Sequence, residues 1–365
     1  MQWDIFCELI DNYGDLGVCW RLACDLHARG QSVRLWLNDA SHLAWLAPNA
    51  SSSGIEVRLW SEAEHCYQAG DVLLEAFGCR PPAAVLAAGC VRKPLHINLE
   101  YLSAEDYVER MHGLPSPHTC ADGSVWPTWF FYPGFTLFTG GLLREPDYEA
   151  RRSAFDPHAW LQAQGIAPAA STTLVSLFCY EPPLLAAWLQ LLLQSPQHHH
   201  ILVCAGRAQA AFEQALRECG IAAEQKAAAT LRWSYLPFMS QLDFDHLLWA
   251  CDINFVRGED SLVRAIWASK PFVWQIYPQD DGAHAPKLEA FMQAVQLPAA
   301  AQKWQGLWNG LQTERPSAED WLALQACKPH YAAISKQLTA QNNLGENLLA
   351  YAQSKRNVPA GEVTR

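Results

Sequence analysis

Trp3-Asp4-Ile5-Phe6-Cys7-Glu8-Leu9-Ile10, Asp11-Asn12-Tyr13-Gly14-Asp15-Leu16-Gly17, Val18 to Arg29 and Val33-Arg34-Leu35-Trp36-Leu37 open the chain in that order. The first and last of these runs are short and apolar, as strands are. Val18 to Arg29 carries Cys19, Leu22, Ala23 and Leu26 on one face and meets a stop signal at Gly30, which predicts a helix. Strand, helix, strand is a βαβ unit, and a βαβ unit implies a parallel sheet. Ile55–Trp60, Asp71–Ala76 and Leu95–Leu99 continue the alternation. A first Rossmann-like domain is therefore expected over residues 1–155, its end rich in aromatic and turn residues from Trp126 to Gly141.

A second alternation starts near Thr173. Strands are expected at Leu174–Phe178, Ile201–Gly206, Leu231–Leu236, Asp252–Val256 and Pro271–Ile276. Helices are expected at Pro182–Gln194, with Pro at its start, and at Leu262–Ser269. This second Rossmann-like domain spans about residues 170–335. A last helix around Leu344–Gln353, within residues 340–365, is expected to cross back to the first domain. Two such α/β domains facing each other make the interdomain cleft the default site.

The chain has 365 residues, 50% hydrophobic and 17% charged, which suffices for two domains with real cores. Sixteen Trp and apolar runs nearly end to end argue against long disorder. A net charge of -11 disfavours non-specific binding to nucleic acid or anionic membrane and suits a basic partner. No apolar stretch is long enough to span a bilayer. Met1-Gln2-Trp3-Asp4 lacks the basic region of a signal peptide, and a cytoplasmic protein is expected. The twelve cysteines contain no Cys-x-x-Cys. Cys7, Cys179, Cys204 and Cys251 lie in apolar strand-like runs and are expected as buried thiols rather than metal ligands. His198-His199-His200 is expected as a polar turn before a strand.

The loop from Asp11 to Gly17 lies where a nucleotide-binding α/β protein carries its phosphate loop, yet it holds two aspartates. Carboxylates repel a pyrophosphate, so the loop is either inert or handles something cationic or acidic. Phosphate logic works better in Arg257-Gly258-Glu259-Asp260-Ser261. Gly258 permits a tight turn, and Ser261 or Asp260 can cap a helix whose N-terminus favours an anion. Arg257 can contact phosphate in bidentate fashion, and Glu259 can accept from ribose hydroxyls or orient Arg257. A capped helix with a surface ion pair would look the same. Gln279 and Asp280, after the fifth strand of the second domain, suit sugar hydroxyls or belong to a solvated loop. Phe178 and Tyr180 can stack a base and Gln241 can read its edge, although on pattern alone core packing is the favoured use of the aromatics. A nucleotide-sugar transferase accounts for all four segments.

Those segments, taken with Trp3-Asp4-Ile5-Phe6-Cys7, Val18-Cys19-Trp20-Arg21-Leu22-Ala23, Asn254-Phe255-Val256 and Tyr277-Pro278-Gln279-Asp280, resemble the EarP family of bacterial protein-arginine rhamnosyltransferases. The match runs over nearly the whole chain in order and spacing. The resemblance implies a GT-B fold and dTDP-β-L-rhamnose as donor. It implies inverting transfer to one arginine of translation elongation factor P, with no metal or other cofactor. That modification activates the factor for rescue of ribosomes stalled at polyproline. Asp11 and Asp15 match the family's two loop aspartates, Asp15 as general base. Phe178, Tyr180, Gln241, Arg257, Glu259, Asp260 and Ser261 match positions that hold the dTDP moiety. Asn12, Tyr13, Gly14, Gly17, Gln279 and Asp280 lie beside these motifs as donor-sugar or acceptor contacts. A GT-B transferase with another donor or a small-molecule acceptor, and a non-catalytic module for a basic protein, are the alternatives.

Overall fold

In the computed structural model, residues 1–9, 13–221, 230–279 and 282–356 are described. The chain divides into two compact units, residues 1–149 with 340–365, and residues 150–339. The first unit holds a seven-stranded sheet built from β1 (Gln2–Cys7), β2 (Ser32–Leu37), β3 (Glu56–Leu59), β4 (Val72–Ala76), β5 (Leu95–Leu99), β6 (Pro115–Thr119) and β7 (Val125–Phe131). Its order is β3-β2-β1-β4-β5-β7-β6. All neighbours are parallel except β6 and β7, which form an antiparallel pair at one edge. That pair corrects the expectation of turns from Trp126 onward. Val125–Phe131 alternates too irregularly, with Pro127 inside it, to read as a strand.

The first strand is central because both its faces are apolar or satisfied. Trp3, Ile5 and Cys7 enter one core with Leu22, Leu35, Leu74 and Ile97. Phe6 enters the other core, stacked on Trp36 at 5.6 Å. Asp4 shares that second face and is fully buried. Its carboxylate accepts from Arg34 Nε (2.6 Å) and Nη2 (2.8 Å), Trp36 Nε1 (3.0 Å), the Tyr67 hydroxyl (2.9 Å) and the Gly70 amide (2.9 Å). The buried charge is thus paired and hydrogen-bonded, and it ties β1 to β2 and to the segment leading into β4.

The second unit has a five-stranded parallel sheet of β8 (Thr173–Leu177), β9 (His199–Val203), β10 (Leu231–Tyr235), β11 (Ile253–Arg257) and β12 (Phe272–Gln275), in the order β10-β9-β8-β11-β12. Much of the Trp content is its core: Trp188, Trp304, Trp308 and Trp321 all ring Phe255 within 6.5 Å. Buried Asp245 accepts from Arg264 Nε (2.8 Å) and Nη2 (2.6 Å) and from Arg151 Nη1 (3.2 Å).

Several local expectations change. The first helix runs Gly14–Ala28, four residues earlier than its apolar face predicts, so Gly14, Asp15 and Gly17 belong to its opening turns rather than to a loop. The helix after β8 is Leu185–Leu193, shorter than Pro182–Gln194. The helix after β11 is Gly258–Ala268, not Leu262–Ser269. His199 and His200 are the buried first residues of β9, not a polar turn. Trp321 Nε1 donates to His199 Nε2 (3.0 Å), and His200 Nε2 pairs with the Ser234 hydroxyl (2.9 Å). Cys7, Cys179, Cys204 and Cys251 are buried thiols, while Cys90 and Cys120 form a disulfide that no local motif announces. No described helix is long and apolar enough to cross a membrane.

The helix Leu344–Arg356 belongs to the first unit, with Leu344, Leu348 and Ala352 in its core. Gly345 packs so closely on the Gly14–Ala28 helix that a methyl there would run into the Asp25 carboxylate. Asp25 accepts from Arg29 Nε at 2.9 Å, and Arg29 also donates to Glu346 at 3.2 Å. Burial outweighs the Arg29 cation and raises the Asp25 pKa from 3.8 to about 6.

A raised folded-state pKa means that folding favours the protonated form. Its stabilisation is complete below the unfolded value of 3.8 and is lost as the pH rises through about 6. Between those limits the loss amounts to about 3 kcal/mol, at 1.36 kcal/mol per pKa unit. Asp25→Asn is expected to flatten that part of the stability profile, as followed by urea unfolding at a series of pH values; an unchanged profile excludes Asp25 as the group responsible. Asp4→Ala leaves Arg34 without its buried partner and is expected to cost about 3–5 kcal/mol in the same assay.

Candidate functional site

Each sheet reverses its strand order beside its first strand, β1 against β4 in one unit and β8 against β11 in the other. Crossovers leave on opposite faces there, so a crevice opens at the carboxyl ends of those strands. Most of the described residues singled out in the sequence fall at these two places.

In the second unit, β8 delivers Phe178, Tyr180 and Glu181, and β11 delivers Arg257. The Arg257 guanidinium lies between two rings, 4.5 Å from the Phe178 centroid and 4.6 Å from that of Tyr180. It donates to the Cys179 carbonyl at 3.2 Å. Arg207, opening the helix Arg207–Glu218, stands 4.9 Å from the same Tyr180 ring. Phe244 continues the stack against Phe178 at 5.2 Å, and Tyr277 meets Tyr180 edge-on at 5.4 Å. Aromatic faces thus hold two cations at one strand end. Burial lowers the Arg257 pKa from its usual value, which leaves the group a cation that gains from an incoming anion. Arg207 forms a fork with Glu181, Nε to Oε1 at 2.9 Å and Nη2 to Oε2 at 2.5 Å, and this hydrogen bond lowers the Glu181 pKa.

The helix N-terminus is built differently from its sequence expectation. Its first residue is Gly258 at φ +66°, with the Tyr180 hydroxyl 3.5 Å from where a Cβ would stand. A side chain is strained there whatever the space. Arg257 occupies the capping position, so neither Asp260 nor Ser261 is the cap. Ser261 lies in the first turn instead, accepting from the Arg257 amide (3.0 Å) and donating to the Arg257 carbonyl. Asp260 accepts from Gln241 Nε2 at 3.4 Å, and Glu259 pairs with Lys287 at 2.7 Å. Tyr180, Gln241, Arg257, Glu259, Asp260 and Ser261 are brought to one end of the sheet, with Phe178 beside them. Gln279 follows β12, its amide donating to His284 Nδ1 at 3.2 Å; Asp280 lies outside the described residues.

In the first unit, Asp11 and Asn12 lie outside the described residues. Tyr13 is half-exposed and meets His42 and Trp45 ring to ring at 4.4 and 5.2 Å. Gly14 and Gly17 are in the helix that follows, and nothing lies within 4 Å of a Cβ built on Gly14. Asp15 is in the helix's first turn, where the backbone dipole favours a carboxylate. The Tyr101 hydroxyl donates to Asp15 Oδ2 at 3.5 Å. Glu100, half-buried next to it, accepts from Asn98 Nδ2 at 2.8 Å, and burial raises its pKa.

Phe77, Glu100, Tyr101, Arg207, Phe244 and Lys287 were not singled out by sequence. The available signal was position: Phe77, Glu100 and Tyr101 sit just past predicted strands, where a doubly wound sheet places its site. Among the described residues no three His, Cys, Asp or Glu side chains cluster as metal ligands would.

Comparison with known proteins bears on the family and the fold. The family model described as "Elongation-Factor P (EF-P) rhamnosyltransferase EarP" matches residues 3–353. A protein-arginine rhamnosyltransferase of Pseudomonas putida is 42% identical over 353 residues, covering 92% of each chain. One from Pseudomonas aeruginosa is 40% identical, covering 93% of this chain and 99% of its own. A solved structure described as the basis for EarP-mediated arginine glycosylation of translation elongation factor EF-P superposes with a TM-score of 0.66 at 31% identity, covering 97% and 99% of the two chains. The spinosyn rhamnosyltransferase SpnG, at 12% identity and a TM-score of 0.52 over 98% of this chain and all of its own, shares the fold alone. Two parallel-sheet α/β units with these neighbours are the GT-B glycosyltransferase fold, and the chain belongs to the EarP family of elongation factor P rhamnosyltransferases.

Proposed function

We propose that this chain transfers L-rhamnose from dTDP-β-L-rhamnose to an arginine side chain of translation elongation factor P, with inversion and without a metal. The modified factor then serves at ribosomes stalled on polyproline. The observation that carries the assignment is the contrast between the two strand ends. Arg257 and Arg207 stand on aromatic rings in the second unit, and Asp15 accepts from Tyr101 in the first. The cationic end suits a nucleoside diphosphate and the acidic end suits a guanidinium.

A guanidinium is charged at any cellular pH, and its lone pairs are delocalised, so it is a poor nucleophile. Removing its proton beforehand, from a pKa above 12 to about 7, costs roughly 7 kcal/mol. Proton loss concerted with attack avoids that cost. Asp15 stands in the first helical turn, where its carboxylate attracts the guanidinium and accepts the proton as the C–N bond forms. Asp11 would hold the other edge of the planar group. As the C–O bond to dTDP breaks, Arg257 and the amide groups opening the Gly258–Ala268 helix balance the charge of the departing diphosphate. Arg207 can exchange its Glu181 partner for the same anion.

With purified protein, dTDP-β-L-rhamnose and elongation factor P, one deoxyhexose mass is expected on an arginine, undiminished by EDTA. Absence of the adduct overturns the assignment, and loss of activity in EDTA overturns its metal independence. Asp15→Asn is expected to lower kcat by about 10²–10⁴-fold with unchanged affinity for dTDP. Arg257→Ala is expected to weaken dTDP-rhamnose binding about 10- to 100-fold by calorimetry, the usual cost of a charge-assisted contact. Stronger thermal stabilisation by UDP or GDP than by dTDP would point to a different donor.

A further inference from the structure

Phe77 is a bulky residue in the left-handed region, at φ +59°. Lys93 and Ser269, also at positive φ, cap helix ends, where that conformation is ordinary. Phe77 instead ends β4 at the first unit's strand-order reversal, where strain in a bulky residue persists only if its surroundings enforce it. They do so here. The Phe77 amide donates to the Leu99 carbonyl at 2.7 Å and the Cys79 amide to the Ala76 carbonyl at 3.1 Å. Asn98 accepts from the Gly78 amide at 3.4 Å and donates to Glu100 at 2.8 Å. What the bend achieves is a ring placement: Phe77 stacks on Tyr101 with centroids 4.7 Å apart and planes 20° from parallel. Tyr101 in turn reaches Asp15 through its hydroxyl.

We propose that Tyr101 is a positioning residue for Asp15, and that the strained Phe77 exists to hold the Tyr101 ring in place. The hydroxyl fixes the carboxylate's rotamer on an otherwise half-exposed helix turn, so that its oxygen is aimed before the acceptor arrives. A carboxylate that must first find its orientation lowers the fraction of productive complexes, and this appears in kcat rather than in binding. The proposal rests on Asp15 being the base. Asp15→Asn tests that premise separately, because an active D15N fails the premise whatever Tyr101 does.

The experiment is steady-state transfer from dTDP-β-L-rhamnose to elongation factor P by the full chain, together with thermal unfolding. Tyr101→Phe keeps the ring and removes the hydroxyl. It is expected to lower kcat about tenfold while both KM values and the melting temperature stay at wild-type values. Phe77→Gly permits the same bend without the ring and is expected to lower kcat to a similar extent. The double variant is expected to be no worse than the poorer single one, because both changes break one device. Wild-type kcat in Y101F, a fall confined to KM, or independent multiplication of the two effects would overturn the proposal. If F77G does not fold, Phe77→Leu, which keeps apolar bulk without a flat ring, takes its place under the same criteria.

Discussion

A parallel sheet forces every connection between neighbouring strands to cross over on one face, with one hand. When the order runs outward from a first strand in both directions, the two connections beside it must part. Both units of this chain obey that rule, at β1/β4 and at β8/β11. The parting leaves backbone ends and side chains with no covering helix. Residues with charge and rings can therefore collect there at a smaller desolvation cost than in the middle of the sheet.

The two strand ends use similar materials for opposite purposes. In the second unit aromatic faces solvate cations: Arg257 lies between Phe178 and Tyr180, and Arg207 lies on Tyr180. Rings lend the guanidinium groups a partly dry surrounding in which an anion binds more strongly than it would in water. In the first unit an aromatic pair stands behind one carboxylate, with Phe77 behind Tyr101 and Tyr101 against Asp15. The overall excess of negative charge suits a basic acceptor, and the cations of the second unit's strand end are a local exception to it that suits the phosphates of the proposed donor.

Strand periodicity made both sheets legible, because parallel strands buried on two faces read as unbroken apolar runs. β1 is the clearest example, and even its Asp4 is absorbed by five hydrogen bonds that sequence cannot show. The start of the helix at Gly14 was not legible. Gly14 and Asp15 resemble loop residues, and only tertiary packing of Leu16 and Cys19 decides that they turn helical. The pair β6 and β7 was missed because Pro115, Pro117 and Pro127 argue against strands, a rule that the edge strand β6 escapes and that Pro127 escapes by lying just outside the pairing of β7 with β5. At the site, type and position of the charged residues could be read, but partners could not. Lys287 joins Glu259 across 28 positions, and Tyr101 joins Asp15 across 86.

The helix Leu344–Arg356 completes the core of a unit whose other parts are all encoded before residue 150. During synthesis the first sheet must therefore wait for its last wall while the whole second unit is made. The Gly14–Ala28 helix meanwhile shows water the surface that Leu344, Leu348 and Ala352 will cover. Domains usually fold in the order in which they leave the ribosome. Here the sequence order reverses the order of completion, and the second unit is the one free to close first.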